Sequence, residues 1–462
     1  MKKDILVKDI VRICNGKLIC GNEEEICENF SRDSREINEG DIYLGIKGER
    51  FNGSDFYKEA LEKGAKGCIL QDIEISEYNI NTYENKFIII VENVVKALQQ
   101  IAAYKRSLYA IPVIGVTGSV GKTSTKDIIA SVMSTKYNVL KTEGNYNNEI
   151  GLPLTILKLK NHNALVLEMG MSSLGEISLL TNIARPTTGV ITVIGSSHIG
   201  ELGSRENILK AKLEILEGLD SNGALVINND NDLLSLWNVN NNDKHKHITY
   251  GIESESTLNA KNIDIREDGS SFDIEINGID YTVNVPVAGR HFINNSLAAI
   301  AVGLENNIEP EKIIEGISKF SLTKRRMEIL KNKNNVTIIN DCYNASYESV
   351  KAALEYVSAI SANKKIAVLG DVLELGEFSK QMHQKMGEEV INNNIDILVT
   401  VGKEAKAIAD IVKDKSKKIE VYSYDNNIDA SNLLKNIIQE NDIILVKASN
   451  GMHFEEIVEF IK

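Results

Sequence analysis

The sequence predicts an α/β protein of three domains: a small α/β domain first, a central domain on a parallel sheet, and a Rossmann-like α/β domain last. Two observations support this architecture. The chain has 462 residues, whereas an average domain takes about 150. From residue 113 onward, apolar runs typical of buried strands alternate with helical segments, as in parallel sheets covered by helices on both faces. We place the domains at residues 1–90, 91–320 and 321–462.

In the N-terminal part, short apolar runs alternate with turn residues, which predicts a small α/β unit. The predicted elements are a strand at Asp41–Ile46, a helix at Phe56–Lys63, the start of a strand at Cys68–Leu70 and a helix at Ala97–Leu108. The polar stretch at residues 71–86 is predicted to be a loop that leads to a domain boundary.

The central part opens with the apolar run Val113–Thr117, followed by a glycine-rich turn and a helix to about Ser134. Further buried strands are predicted at Ala164–Gly170, Thr188–Gly195 and Gly223–Asn228. Next come a polar surface loop at residues 241–247, a hairpin or meander at Leu258–Val287 and a helix at Phe292–Glu305. After about Phe320 a third series fits a second doubly wound domain. Its predicted strands are Val336–Asp341, Lys365–Asp371, Asp396–Gly402 and Asp442–Ala448.

Composition excludes several classes of protein. The chain carries 52 Lys and Arg against 65 Asp and Glu, a formal net charge of −13, which argues against nucleic-acid binding. It has no apolar run long enough to span a membrane and no signal-peptide pattern at its start, so we expect a cytoplasmic protein. Its five cysteines show no CxxC spacing and are expected to be reduced thiols.

The segment GSVGKTST at Gly118–Thr125 lies between a predicted strand and a predicted helix, where backbone N–H groups and the helix N-terminus form an anion site. Lys122 is then placed to pair with the β- and γ-phosphates, and the Thr123 hydroxyl to reach Mg²⁺. Val116 stands where the strict Walker A pattern has glycine, so this is the shorter GxxGKT form. The central domain is therefore predicted to be a P-loop ATPase domain. The predicted ATP contacts in this loop are Gly118, Ser119, Val120, Gly121, Lys122, Thr123 and Ser124.

Glu168 ends the predicted strand ALVLE beside a glycine, where its carboxylate can face the phosphates and hold Mg²⁺. Three asparagines, Asn145, Asn147 and Asn148, cluster in the turn GNYNNEIG. The loops near Ser34, Arg35 and Lys47 are our candidates for an anionic diphosphate, which needs Arg, Lys and N–H donors.

Further motifs follow the phosphate loop in a fixed order. They are GNYNNEIGLP at 144–153, EMG at 168–170, SSHIGELGSRENILKAKLEI at 196–215, INND at 227–230, GRHFINN at 289–295, RME at 326–328 and NDCYNAS at 340–346. Together they resemble the Mur ligase family of ATP-dependent amide-bond-forming enzymes. The resemblance extends over nearly the whole chain, from DSR at residues 33–35 to VKAS at residues 446–449.

Within that family, the DCYNAS segment, GDVLELG at residues 370–376 and the N-terminal DSR…GDIYLGIKG pattern are most similar to one branch. That branch joins D-alanyl-D-alanine to UDP-N-acetylmuramoyl-tripeptide (UDP-MurNAc-tripeptide) in peptidoglycan synthesis. The resemblance implies that ATP phosphorylates the terminal carboxylate of the tripeptide and that the dipeptide amine then displaces phosphate. It also implies a monomer and places the UDP-sugar near the N-terminal candidates named above.

The resemblance implies roles for individual residues as well. His198 is expected to help bind a second Mg²⁺, and Lys212 to be carbamylated so that its new carboxylate supports that ion. The expected metal ligands for two ions are thus Thr123, Glu168, His198 and Lys212, and the expected catalytic residues are Lys122, Glu168, His198 and Lys212.

Other expected contacts lie on the nucleotide and the peptide. Asn145, Asn147 and Asn148 are expected to hold the substrate and phosphate region, and Asn295, with Asn228 and Asp230, to contact adenine or ribose. Arg326 and Asp341 are expected to reach ATP when the last domain closes over the central one. Lys447 and Ser449 are expected to touch the peptide, whereas His291 is interpreted as structural.

Three alternatives stay open. Another Mur-type ligase would use a different amino acid or a folate-like acceptor, although relatives of the folate type begin almost directly with the ATP domain. A P-loop switch protein would hydrolyse nucleotide without any carboxylate acceptor. A relative that only binds precursors is disfavoured by the intact Lys122, Thr123, Glu168, His198 and Lys212.

Overall fold

The computed structural model describes residues 4–75, 85–266 and 268–462. Its N-terminal strands are β1 (Ile5–Leu6), β2 (Lys17–Cys20), β3 (Ile26–Cys27), β4 (Phe30–Ser31), β5 (Ile42–Leu44), β6 (Gly67–Leu70) and β7 (Phe87–Ile90). Five of them form a sheet in the order β2-β7-β6-β5-β4, parallel except for the β2–β7 pair, and β1 pairs with β3. The helices here are Val7–Cys14, Tyr57–Glu62 and Val94–Ser107, with 3₁₀ turns at Ser34–Glu36 and Gly53–Phe56.

The predicted strand and helices of this part are confirmed with slightly different ends. The predicted loop at residues 71–86 lies partly outside the described residues, because 76–84 are not described; its remaining residues belong to no helix or strand.

The central sheet has seven strands, all parallel, in the order β14-β13-β12-β11-β8-β10-β9. They are β8 (Val113–Thr117), β9 (Val139–Lys141), β10 (Ala164–Glu168), β11 (Thr188–Ile191), β12 (Ala224–Asn228), β13 (Lys246–Gly251) and β14 (Leu258–Asn259). The helices between them are Lys122–Met133, Gly151–Leu157, Glu176–Ala184, Ile199–Leu202, Arg205–Leu213 and Asp232–Asn240, with a 3₁₀ turn at Glu214–Glu217. The predicted parallel sheet is confirmed.

The position of β8 determines where a ligand can bind. It lies between β10 and β11, so the chain leaves β8 to build one side of the sheet and later returns to build the other. Ligands of open α/β sheets bind outside the carboxyl ends of the strands at such a reversal. The phosphate loop after β8, Glu168 at the end of β10, and the segment after β11 therefore meet at one edge.

A three-stranded antiparallel meander follows, formed by β15 (Lys261–Arg266), β16 (Gly269–Ile276) and β17 (Ile279–Val285), as the alternation predicted. The helices Arg290–Glu305 and Pro310–Ser318 then pack on the phosphate-loop helix, where Gly303 and Gly316 both lie against Val132. The prediction of a polar surface loop at 241–247 is wrong at its end, because Lys246 and His247 begin β13. His247 is half-buried since it stacks on Trp237 and hydrogen-bonds Asp243.

The C-terminal sheet has the order β18-β19-β23-β20-β21-β22 and is parallel except for the β18–β19 pair. Its strands are β18 (Glu328–Lys331), β19 (Thr337–Asn340), β20 (Lys365–Gly370), β21 (Ile397–Val401), β22 (Glu420–Tyr424) and β23 (Ile443–Lys447). Its helices are Tyr347–Ala359, Ser379–Asn392, Lys406–Lys415, Asn427–Ile437 and Glu455–Ile461, with 3₁₀ turns at Gly376–Phe378 and Asn450–Met452. The predicted doubly wound arrangement is confirmed, and β18 and β22 add to the predicted strands.

The five cysteines form no disulfide, as expected, and burial raises the pKa of Cys14 and of Cys27 to about 12. Across the ranges that the structure covers, every helix is too short or too polar to cross a membrane.

Packing of the helix Arg290–Glu305 gives a first prediction. Leu297 on this helix is fully buried, so Leu297→Ala is expected to lower the free energy of unfolding by about 2–5 kcal/mol. Leu236→Ala is the matched control, because Leu236 also lies in a helix but is 62% exposed; its effect should stay within about 0.5 kcal/mol. Urea unfolding followed by circular dichroism compares the two. Equal losses would contradict the packing described here.

Candidate active site

The phosphate loop has an unusual backbone that depends on two glycines. Gly118 (φ +144°) and Gly121 (φ +85°) lie in the region that favours glycine. A Cβ at Gly118 would overlap the Thr192 hydroxyl. That hydroxyl donates to the Val120 carbonyl (2.5 Å), and the Ser119 N–H donates to the carbonyl of Val193 (2.7 Å). The segment after β11 thus holds the loop in shape.

Lys122 begins the helix after the loop and folds back over it. Its Nζ donates to the carbonyls of Gly118 (2.7 Å) and Ser119 (3.3 Å). Burial lowers the pKa of Lys122; the negative charge of Glu168 opposes this shift, and the positive charge of Arg326 adds to it. The ammonium therefore lies where a phosphate could replace the loop carbonyls as its partner.

Glu168 is the most constrained carboxylate of the site. It is 2% exposed, and its two oxygens accept hydrogen bonds from Thr123 Oγ1 and Asn147 Nδ2, both at 2.8 Å. One carboxylate and one hydroxyl beside a phosphate loop suit Mg²⁺, which takes few protein ligands and completes its shell with phosphate oxygens and water.

Lys212 lies on the helix Arg205–Leu213 and is 1% exposed. Within the described ranges, no carboxylate lies within ion-pair distance of its Nζ. Burial lowers the pKa of Lys212 well below its ordinary value, the charge of Lys122 lowers it further, and Glu176 and Glu214 oppose the shift. Burial of this kind favours the neutral, nucleophilic form of an amine.

His198 precedes the short helix Ile199–Leu202 with a left-handed backbone (φ +63°). Its Nδ1 lies 2.7 Å from a carboxylate oxygen of Glu374, a residue of the C-terminal sheet region. Burial lowers the pKa of His198, and the charges of Lys122 and Lys212 add to that effect against Glu374.

Electrostatic interactions link Lys122 to Glu168, to His198 and to Lys212, so these four residues lie in one region of the structure; their catalytic roles stay predictions. Among the residues described, no three His, Cys, Asp or Glu side chains converge on one point as a ready metal site. Any ion here would need oxygens from a ligand, water or a modified lysine, so the Mg²⁺ ions and the carbamate stay predictions.

The three clustered asparagines have different contacts. Asn147 reaches Glu168, as described above. Asn148 Oδ1 instead accepts from the backbone N–H of Gly151 (2.9 Å) and caps the helix Gly151–Leu157, and the Asn145 carbonyl accepts from the Asn147 N–H (2.8 Å). Substrate contacts of all three remain predictions.

Asn295 is buried, and its Oδ1 would lie 3.2 Å from a Cβ at Gly121, so it contacts the phosphate loop. Asp230 accepts hydrogen bonds from the backbone N–H groups of Ile252, Glu253 and Ser254 (2.7–3.0 Å). Both oxygens of its carboxylate therefore bind the turn after β13. Its own N–H donates to Asn228 Oδ1 at 3.0 Å.

In the C-terminal region, Arg326 stacks on the Tyr343 ring, with its guanidinium carbon 4.1 Å from the ring centroid. Its Nε is buried and has no hydrogen-bond partner in the described part of the chain. The effect of Arg326 on the pKa of Lys122 shows that its charge lies near the phosphate loop.

Asp341 and Lys447 form a buried ion pair with each other at 2.6 Å, and Lys447 is 2% exposed. Burial lowers the pKa of the neighbouring His291 to about 4. Ser449 Oγ accepts from the Leu373 N–H at 2.9 Å. These polar groups are already engaged inside the protein, so ligand contacts of Asp341, Lys447 and Ser449 stay predictions.

The N-terminal candidates lie on loops of the first sheet. Arg35 pairs with Asp33 (2.6 Å), and Lys47 pairs with Asp72 (3.0 Å), while the Ser34 carbonyl accepts from Lys63 (3.2 Å). In the ranges covered by the structure, no hydrogen bond or ion pair joins them to the phosphate loop.

Three residues that contact the site were missed from the sequence. Thr192 was included in a predicted strand, Glu374 lies in the GDVLELG segment, to which no site role was assigned, and Glu348 lies two residues beyond NDCYNAS. Glu374 could have been suspected from its place in the GDVLELG segment, but no local pattern pairs a glutamate with a histidine 176 residues away.

Comparison with known proteins places these residues in a family context. Three family models match: the "Mur ligase family, catalytic domain" at residues 28–106, the "Mur ligase middle domain" at 116–303, and the "Mur ligase, glutamate ligase domain" at 325–450. A curated relative, the UDP-N-acetylmuramoyl-tripeptide–D-alanyl-D-alanine ligase of Bacillus subtilis, is 40% identical over 98% of this chain and 97% of its own.

Solved structures of Mur ligases are also similar to this chain. MurF from Acinetobacter baumannii superposes with a TM-score of 0.88 at 27% identity, covering 99% of each chain. The MurF ligase of Thermotoga maritima in complex with ADP has a TM-score of 0.82 at 31% identity, covering 94% of this chain and 96% of that one.

The crowded Gly118 gives a prediction for nucleotide binding. Gly118→Ala would place a Cβ on the Thr192 hydroxyl at a positive φ and is expected to weaken ADP binding about tenfold or more, measured by isothermal titration calorimetry. Gly144→Ala is the control, since Gly144 also has a positive φ (+55°) but nothing lies within 4 Å of its added Cβ. A similar affinity for both variants would contradict the role assigned to the loop shape.

Proposed function

The chain belongs to the Mur ligase family, a family of ATP-dependent amide-bond-forming enzymes, and from that premise we propose that it joins D-alanyl-D-alanine to UDP-MurNAc-tripeptide in peptidoglycan precursor synthesis. The observation that carries the proposal is the convergence of Lys122, Glu168, His198 and Lys212 at the carboxyl edge of the central sheet. The similarity extends over the whole chain, so all three regions of the relatives have counterparts here.

The reaction must bring two anions together. The terminal carboxylate of the tripeptide attacks the γ-phosphorus of ATP and releases ADP, which leaves an acyl phosphate. The amine of D-alanyl-D-alanine then attacks the acyl carbon, phosphate leaves, and the amine loses a proton. Phosphoryl transfer requires mainly positioning and charge stabilisation, which the loop N–H groups and Lys122 supply at the phosphates.

Thr123 and Glu168 are the residues that would hold a first Mg²⁺, because their oxygens lie together beside the phosphate loop. A bound Mg²⁺ would offset the charge of the phosphates during transfer. Asn147 orients the Glu168 carboxylate through its hydrogen bond at 2.8 Å. His198 and Lys212 are proposed for a second ion.

Lys212 is proposed to be carbamylated. The neutral form of its amine, which burial favours, can add to the carbon of CO₂ and lose a proton, which turns a buried amine into a buried anion. That anion would lie near the positive charge of Lys122 and supply the oxygen ligands that the cluster lacks.

We propose that Arg326 of the C-terminal region contacts the ATP phosphates. Its buried Nε has no hydrogen-bond partner among the described residues, and its charge acts on Lys122. Closure of this region over the central one would also keep water from hydrolysing the acyl phosphate. We propose Asn295 and Asp341 as further nucleotide contacts.

Substrate contacts are proposed for the N-terminal and asparagine residues. Ser34, Arg35 and Lys47 would bind the UDP-sugar, and Asn145, Asn147, Asn148, Lys447 and Ser449 the peptide region. The domain division at residues 90 and 320 is supported by the sheets, since each large sheet falls within one range. A monomer acting in the cytoplasm remains our prediction.

The ligase proposal is tested by measuring ADP release with UDP-MurNAc-tripeptide in the presence and absence of D-alanyl-D-alanine, with mass detection of the product. We expect ADP formation to require both substrates and the product to be heavier by one dehydrated dipeptide. ADP release that is indifferent to both substrates would instead favour a P-loop switch protein.

In the same assay, Glu168→Gln should lower kcat about a hundredfold or more, because the metal loses a charged ligand and the charge stabilisation that it supports. Glu149→Gln is the control, since Glu149 is an exposed glutamate near the same turn; it should retain full activity. Full activity of Glu168→Gln would exclude the role proposed for this carboxylate.

The carbamate is tested by ¹³C nuclear magnetic resonance in ¹³C-bicarbonate. The unmodified chain should show a carbamate carbon that disappears in Lys212→Arg, because the guanidinium does not add CO₂. Lys210→Arg is the control, since Lys210 lies on the same helix but is exposed to solvent. A spectrum without a carbamate signal at saturating bicarbonate, from a fully active protein, would rule the modification out.

A further inference from the structure

The segment Gly195–Gly200, which carries His198, contacts the C-terminal region at both of its ends. At one end, the carboxylate of Glu348 accepts from the Ser196 N–H (2.7 Å) and from Ser196 Oγ (3.1 Å). At the other end, the Glu374 carbonyl accepts from the Gly200 N–H at 3.2 Å. Two glutamates of the C-terminal region thus hold the two ends of this segment.

The glycines at both ends show that the contact is closely fitted. A Cβ at Gly195 would lie 2.5 Å from the carboxyl carbon of Glu348, and a Cβ at Gly200 would lie 2.6 Å from the Gly376 nitrogen. A larger residue at Gly200 would meet backbone atoms and force the two regions apart, and one at Gly195 would displace the Glu348 carboxylate. The missing side chains are therefore what permits the approach.

Glu374 makes a second contact with the same segment, because its carboxylate lies 2.7 Å from His198 Nδ1. Both residues have left-handed backbones, φ +64° for Glu374 and φ +63° for His198. Such conformations are unfavourable for residues other than glycine and concentrate at functional sites. With this conformation, the carbonyl and the carboxylate of Glu374 both contact the segment Gly195–Gly200.

We propose that Glu374 is a positioning residue that fixes the tautomer of His198 when the C-terminal region docks on Gly195–Gly200. An ionised carboxylate only accepts hydrogen bonds, so the proton of a neutral imidazole must lie on Nδ1. Nε2 then carries a lone pair that accepts from no donor among the described residues, which leaves this nitrogen free for a ligand.

The surroundings of the pair suit this role. The His198 side chain is 23% exposed, so its ring is largely enclosed where it meets Glu374. The pair borders a cleft of about 520 Å³ that Ser172, Ser173 and Glu201 help to line, and the Glu374 side chain is 64% exposed to solvent. Glu374 therefore both docks the C-terminal region and sets the tautomer of His198. The inference rests on the proposed ligase function.

The first experiment compares Glu374→Ala with Glu377→Ala in the ligase assay. Glu377 lies three residues away, is exposed and supplies the matched loss of charge. We expect Glu374→Ala to lower kcat about 10- to 100-fold, as for other residues that orient a site histidine, with KM for ATP changed less than about threefold, because the loop that binds ATP is untouched. Glu374→Gln should recover most of the activity, since its amide oxygen still accepts from Nδ1–H. Equal activity of Glu374→Ala and Glu377→Ala, or a Gln variant as impaired as the Ala variant, would overturn the proposal.

The second experiment is independent of catalysis. Spectra of the full chain labelled with ¹⁵N-histidine, recorded with and without a non-hydrolysable ATP analogue, report the tautomer of His198, whose signals are assigned by their loss in His198→Gln. The unmodified chain and Glu377→Ala should show the Nδ1–H form, and Glu374→Ala should lose it. An Nδ1–H form that persists in Glu374→Ala, or that is missing from the unmodified chain in both conditions, would overturn the proposal even if ligation is observed. A correct tautomer pattern without ligation would instead contradict the proposed function alone.

Discussion

The buried carboxylate of Glu168 is the group on which the rest of the site depends. It joins the end of β10 to the phosphate-loop helix through Thr123 and to the asparagine turn through Asn147. A charge at 2% exposure is costly unless its surroundings compensate for it. Neutral donors and the nearby Lys122 provide that compensation, so the loop, the strand end and the turn must keep one arrangement.

This constraint leaves the centre with unbalanced positive groups. Burial lowers the pKa of Lys122, of Lys212 and of His198, and the positive charges of Lys122 and Arg326 add to that effect. Anionic ligands, phosphate above all, would restore the balance that the protein alone does not reach. The site is therefore built to be completed by its substrates and by the approach of the C-terminal region.

That approach is permitted by small residues and completed by charged ones. Gly200 lets the backbone of the C-terminal region come close, Gly195 leaves room for the Glu348 carboxylate, and Glu348 and Glu374 bond to the segment between them. Arg326 reaches the phosphate loop from the same side. Chemistry at the edge of the central sheet thus depends on contacts between residues more than 150 positions apart.

The sequence by itself determined the parts that rest on short stretches of chain. The strand, turn and helix around Gly118–Thr125, the parallel character of the central sheet and the family motifs all depend on neighbouring residues, whose period and spacing can be read directly. Only the tertiary structure decided that Asn148 caps a helix while Asn147 reaches Glu168, that Asp341 pairs with Lys447, and that His247 begins a strand. The roles of Thr192, Glu348 and Glu374 were decided there too. Each of these depends on which side chains the sheets bring together from distant positions, and spacing along one chain carries no such information.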